Sequence, residues 1–120
     1  MRTILVVEDK DESREDTSAL LKIAGFRVVT ATKSDESFQQ TITHHPDLIL
    51  SDLVMPKAGG MKLLETKKKI KTISGIAFVF LSAGSASIQD NKEYKADAYI
   101  SKPFTYKQLL KTINHFLKLN

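Results

Sequence analysis

Five short apolar runs punctuate the chain, at residues 3–7, 26–31, 48–51, 77–81 and 98–101. Ile4-Leu5-Val6-Val7, Leu48-Ile49-Leu50 and Phe78-Val79-Phe80-Leu81 are apolar at successive rather than alternate positions. That pattern predicts strands buried on both faces, as in the middle of a parallel sheet. The run at 26–31 is rich in β-branched residues and suits a strand towards one side of the sheet.

Helical spacing fills the intervals. After Asp11, a candidate N-cap, Thr17, Leu20, Leu21 and Ala24 recur at i, i+3, i+4 and i+7, and Gly25 closes the helix as its C′ residue. The polar first half of this helix (Ser13, Arg14, Glu15, Asp16) is expected to pack weakly. Ser34 is the candidate cap of a second helix whose inner face needs Phe38, Thr41 and Ile42. Pro56, Gly59 and Gly60 make a loop before a third helix with Met61, Leu64 and Lys68 beneath its apolar face. Residues 84–95 are polar, hold Ile88 and Tyr94 as sizeable apolar anchors, and support only a short fourth helix. Thr105 caps a fifth with Leu109, Leu110, Ile113, Phe116 and Leu117 facing inward. Strands alternating with helices five times predict a doubly wound, five-stranded parallel α/β sheet flanked by five helices.

Composition narrows the setting. A chain of 120 residues, 42% hydrophobic and 27% charged, suits one domain spanning 1–120. No apolar run approaches a membrane span, and Met1-Arg2-Thr3 leads straight into a strand, which reads as a genuine start without a signal peptide. Without cysteine, disulfides and thiolate metal sites are excluded, which is compatible with the cytoplasm. The net charge of +4 comes with Lys67, Lys68, Lys69 and Lys71 in one segment and Lys107, Lys111 and Lys118 near the end. Neither aromatic nor Arg residues interleave them, so they read as solvated helix faces rather than a nucleic-acid surface. His44 and His45 are adjacent on a helix and point in different directions, which argues against a shared metal.

The chemistry lies at the strand ends. The first run ends in Glu8-Asp9, the third in Asp52, the fourth in Ser82-Ala83 and the fifth in Lys102-Pro103. Singly, each has an ordinary role as a turn, cap or surface residue. In a parallel sheet all of these ends share one edge, where open α/β sheets place their ligands. Three carboxylates gathered there repel and need a counter-charge, and an oxygen-only set points to a hard cation such as Mg²⁺. Lys102 can approach an anionic group on Asp52, and Ser82 can donate a hydrogen bond to it. The set suits phosphoryl transfer onto the Asp52 carboxylate.

The order and spacing of Ile4-Leu5-Val6-Val7-Glu8-Asp9, Pro46-Asp47-Leu48-Ile49-Leu50-Ser51-Asp52-Leu53-Val54-Met55-Pro56, Gly60, Leu81-Ser82-Ala83, Ala96-Asp97-Ala98-Tyr99 and Lys102-Pro103-Phe104 resemble the receiver (CheY-like) domain of two-component response regulators. The resemblance covers essentially the whole chain. It implies a flavodoxin-like fold with strand order 2-1-3-4-5 and a phosphoaspartate at Asp52. The donor would be a phosphohistidine of a sensor histidine kinase or histidine phosphotransfer protein. It further implies Mg²⁺ held by Asp9, Asp52 and the Val54 carbonyl, with Glu8 acting through water. Lys102 and Ser82 would contact the phosphoryl group beside the backbone N–H of Ala83 or Leu53. A cis Lys102–Pro103 bond and a switch pairing Ser82 with an inward-swinging Tyr99 are also implied. Glu8 stands where the family more often has Asp, Gly59 where an Asp is usual, and Lys95 where Gly is usual. Output would pass to an effector domain or protein, with weak homodimerisation, no direct nucleic-acid binding by this domain and no enzymatic activity beyond self-phosphorylation and autodephosphorylation.

Two other readings use the same residues. A Mg²⁺-dependent phosphohydrolase with an aspartyl nucleophile usually carries an acid two residues after it, where this chain has Val54, and needs a cap for which 120 residues leave little room. A receiver-like interaction module that is not phosphorylated would not require the intact acidic and basic set.

Overall fold

The computed structural model describes residues 1–52, 67, 69–82 and 96–118; within these, the side chains of Ser34, Thr72 and Ser82 lie outside the description. Its elements are β1 (Thr3–Val7), α1 (Asp11–Ile23), β2 (Arg27–Ala31), α2 (Ser34–His44), β3 (Leu48–Asp52), the single turn α3 (Lys71–Ser74), β4 (Ala77–Ser82), β5 (Ala98–Ser101) and α4 (Tyr106–Leu117). The strands form one parallel sheet in the order β2-β1-β3-β4-β5. Of the five expected helices, α1, α2 and α4 are described at length. The loop through Pro56 to Gly60, the helix face of Met61, Leu64 and Lys68, and the short helix with Ile88 and Tyr94 fall on residues outside the described ones.

Because strand side chains alternate between faces, the continuous apolar runs divide into two cores. Ile4, Val6, Leu48, Leu50, Val79, Leu81 and Ile100 face α1 and α4, meeting Leu21, Leu109, Ile113 and Leu117. Leu5, Val7, Ile49, Phe78 and Phe80 face the other way, with Phe38 of α2 and Tyr99 packed against them. Ile4, Leu5, Leu48, Ile49 and Leu50 are fully buried; each such side chain contributes roughly 1.5–3 kcal/mol relative to exposure. β2 forms one edge of the sheet.

The helix ends show the local chemistry. Gly25 adopts φ +97°, its N–H donates to Lys22 O and the Phe26 N–H to Leu21 O, both at 3.0 Å. This double closure turns the chain from α1 into β2. Thr105 and Gln108 form a reciprocal capping box at the start of α4. Two expected caps are displaced by one residue. Lys10 and Lys33 hold the extended N-cap conformation, so Asp11 and Ser34 are first helical residues; their segments still carry Asp11, Glu12, Asp35 and Glu36 where the helix dipole favours acids.

Two faces also differ from expectation. Ile42 is 39% exposed, and the buried positions of α2 are Ser37 and Thr41. Their hydroxyls donate to Lys33 O and Ser37 O, one turn back, which offsets desolvation of the hydroxyls. Lys67, expected on a solvated face, is buried, and its ammonium donates to Ser74 O at 2.8 Å, holding the end of α3. Among the described residues no helix is long and apolar enough to cross a membrane.

Candidate functional site

The carboxyl ends of β1 and β3 are brought level by their register. Val7 lies opposite Ser51, so Glu8 and Asp52 are the next residues on each strand. Ser51 in turn pairs with Phe80, and Phe80 with Tyr99. The Glu8 N–H continues the ladder by donating to Ala31 O of β2. Glu8 and Asp52 are buried and Asp9 is exposed at the rim. One carboxylate oxygen from each of the three lies within 4.8 Å of the others.

Lys102 follows β5 and turns back over this cluster. Its ammonium sits 3.0 Å from Glu8 Oε1 and 3.9 Å from Asp52 Oδ2. It thus supplies the positive charge that two buried carboxylates require. The Lys102–Pro103 bond is cis. Tyr99 is half-buried; its ring stacks on Phe80 at 5.8 Å and its hydroxyl accepts from the Ala96 N–H at 3.3 Å. An open cavity of about 430 Å³ beside Lys102 is lined by Ser13, Thr17, Pro103 and Phe104.

Four candidates from the sequence (Glu8, Asp9, Asp52 and Lys102) therefore meet in one place, although Glu8 and Lys102 are 94 positions apart. Val54, Leu53, Ala83 and the Ser82 side chain lie outside the described residues. His44 and His45 are exposed at the end of α2, away from this acidic group.

The donor set fits a divalent ion of the Mg²⁺ class. All three groups are carboxylates, and opposite oxygens around Mg²⁺ are about 4 Å apart, a span that one intervening water extends. The observed 4.8 Å limit is compatible with that geometry.

Three further residues have roles that the sequence reading did not assign. Arg14 reaches back from α1, donating to the Glu8 carbonyl at 3.0 Å and to Asp11 Oδ1 at 2.6 Å. A lone cation among Asp11, Glu12, Glu15 and Asp16 was the available signal. Asp47 and Asp97 each stand one residue before a strand and accept a backbone N–H at the start of the neighbouring strand: Thr3 to Asp47 Oδ2 and Phe78 to Asp97 Oδ2, both at 2.7 Å.

A parallel sheet in this order, with an acidic cluster and a lysine at its carboxyl edge, defines a doubly wound α/β domain whose candidate site lies where such sheets place their ligands. Residues 4–114 match the response regulator receiver domain family, and the chain belongs to it. It is 31% identical over 121 residues to the phosphate regulon transcriptional regulatory protein PhoB of Pseudomonas aeruginosa, covering 98% of this chain and 52% of that protein. The chain thus spans about half the length of the curated relatives it matches. A receiver domain from Clostridium thermocellum superposes with a TM-score of 0.85 at 29% identity, covering 98% and 95% of the two chains. TrrA of Thermotoga maritima, determined in complex with Mg²⁺-BeF, gives 0.86 at 26% identity over 97% and 99%.

Proposed function

We propose that residues 1–120 form one receiver domain that accepts a phosphoryl group on Asp52 from a phosphohistidine of a sensor histidine kinase or histidine phosphotransfer protein. The observation that carries this reading is the Lys102 ammonium suspended between Glu8 and Asp52 in a cluster of three carboxylates. An Asp52 oxygen attacks phosphorus, the P–N bond breaks, and the imidazole leaves with that electron pair. Lys102 then exchanges its carboxylate partner for a phosphoryl oxygen.

Asp9, Asp52 and the Val54 carbonyl, with Glu8 through water, would hold Mg²⁺. Bound there, the ion supplies charge neutralisation for the transferring oxygens. The similarity to TrrA, which was determined with Mg²⁺-BeF, supports this assignment. Ser82 would donate to the phosphoryl group and draw Tyr99 inward, the ring sliding on Phe80. That movement gives a partner or effector domain two surfaces to distinguish. The domain turns over only its own phosphoaspartate, in the cytoplasm.

The test is mass spectrometry after incubation with acetyl phosphate and Mg²⁺. The wild type gains one phosphoryl group and Asp52→Asn gains none. An Asn variant that labels as well as the wild type refutes the assignment, and sustained hydrolysis of a phosphomonoester would point instead to a phosphohydrolase.

A further inference from the structure

Arg14 is a part-buried cation whose two ends are both engaged, and nothing in the phosphoryl-transfer scheme uses it. Its side chain is 17% exposed, while that of the Asp11 it grips is 83% exposed. One nitrogen donates to Asp11 at 2.6 Å within the first turn of α1. Another reaches out of the helix to the backbone carbonyl of Glu8 at 3.0 Å. The planar fork makes both bonds at once, which a single ammonium could not reproduce.

The consequence lies in the chain between those anchors. Glu8 to Lys10 joins a buried strand to an exposed helix start, and it carries two of the three clustered carboxylates. On one side the Glu8 N–H is fixed to Ala31 O. On the other, the Glu8 carbonyl is fixed by Arg14, and the weakly bonded Lys10 N–H, 3.4 Å from Glu8 Oε2, adds little. We infer that Arg14 is a positioning residue: it locks the Glu8 peptide to α1 and so presets Glu8 and Asp9 for a divalent cation. The inference rests on the metal role assigned to these acids above.

Charge alone predicts the opposite sign. A cation near three carboxylates repels a second cation, so its removal would tighten metal binding. Asp11 at 2.6 Å neutralises Arg14, however, and the pair presents little net charge to the cluster. Positioning should therefore win, and loss of a group that orients metal ligands typically weakens metal affinity by about 10–100-fold.

The experiment titrates the full chain with MgCl2 alone, and separately with Mg²⁺ at saturating acetyl phosphate. Arg14→Ala should raise the Mg²⁺ dissociation constant by about tenfold and leave the labelling rate at saturating Mg²⁺ unchanged. A merely destabilised protein would lose rate without that shift. Arg14→Lys should recover part of the affinity. Arg14→Ala combined with Asp11→Asn removes both charges and should stay weak. Wild-type affinity in Arg14→Ala, or its return in the double variant, overturns the inference. Amide exchange at Glu8, Asp9 and Lys10 in metal-free protein separates the two claims. Should the wild type bind no Mg²⁺, the metal reading fails; faster exchange in Arg14→Ala would still uphold the lock on the Glu8 peptide, and unchanged exchange would sink it.

Discussion

Replacing Lys102 with Met removes the ammonium while keeping an unbranched stem along the same path. At an effective dielectric of about 20, unit charges separated by the observed 3.0 and 3.9 Å attract by about 5.5 and about 4 kcal/mol before desolvation of the lysine is subtracted. Measured losses on removing one partner of a buried pair run to about 3–5 kcal/mol, because the remaining charge stays buried and uncompensated. Here the lysine side chain is 27% exposed, so water reaches the cluster and about 2 kcal/mol is the expected loss. For 120 residues the unfolding entropy is about 0.25 kcal/mol per kelvin, so the melting temperature should fall by about 8 °C. Circular dichroism melts in EDTA measure this. Added Mg²⁺ restores a counter-charge to the carboxylates, so the gap between wild type and Lys102→Met should shrink markedly in millimolar Mg²⁺. A variant as stable as the wild type in EDTA would show that Lys102 does not neutralise the cluster. A gap of equal size with and without Mg²⁺ would show that the two cations do not share a role.

Two other substitutions test the frame that holds the site. Asp97→Ala strips the acceptor from the Phe78 N–H at the start of the β4–β5 ladder, and should cost about 1–2 kcal/mol by urea denaturation. An unchanged urea midpoint would mean that water replaces the carboxylate without loss. Ser18→Ala should act oppositely. Ser18 Oγ is the buried side-chain polar atom without a hydrogen-bond partner among the described residues, and exchanging it for a methyl group in mid-helix should stabilise by about 1 kcal/mol. A lower midpoint would reveal a bonded hydroxyl.

The central strands were legible because burial on both faces leaves an unmistakable apolar run, and the meeting of Glu8, Asp9, Asp52 and Lys102 followed because a parallel sheet gathers all carboxyl ends on one edge. What stayed hidden depends on long side chains and hydroxyls. Thr41 was placed correctly, yet its neighbour Ser37 was not anticipated, since a serine hydroxyl pays no visible tribute to burial until its bond to the preceding turn is seen. Lys67 looked like its charged neighbours, and its burial with a bond to the carbonyl of Ser74 distinguishes it. Arg14 reads as a surface residue of a polar helix because its useful end reaches six residues back along the chain.

The site itself is set from the opposite edge of the sheet. Thr3 and Asp47 exchange two hydrogen bonds, 2.7 Å to the carboxylate and 2.8 Å to Thr3 O, where β1 and β3 begin. Phe78 and Asp97 repeat the arrangement at 2.7 and 2.9 Å where β4 and β5 begin. Each aspartate fixes which residues stand side by side four or five positions later, so Glu8 follows a residue paired with Ser51 and Lys102 follows one paired with Ser82. A slip of one residue displaces a strand by about 3.3 Å and turns its side chains to the other face. That displacement is as large as the 3.0 Å separation of Lys102 and Glu8, so a slipped register pulls the charges apart. The two aspartates thus stand far from the chemistry and still decide whether its charges meet.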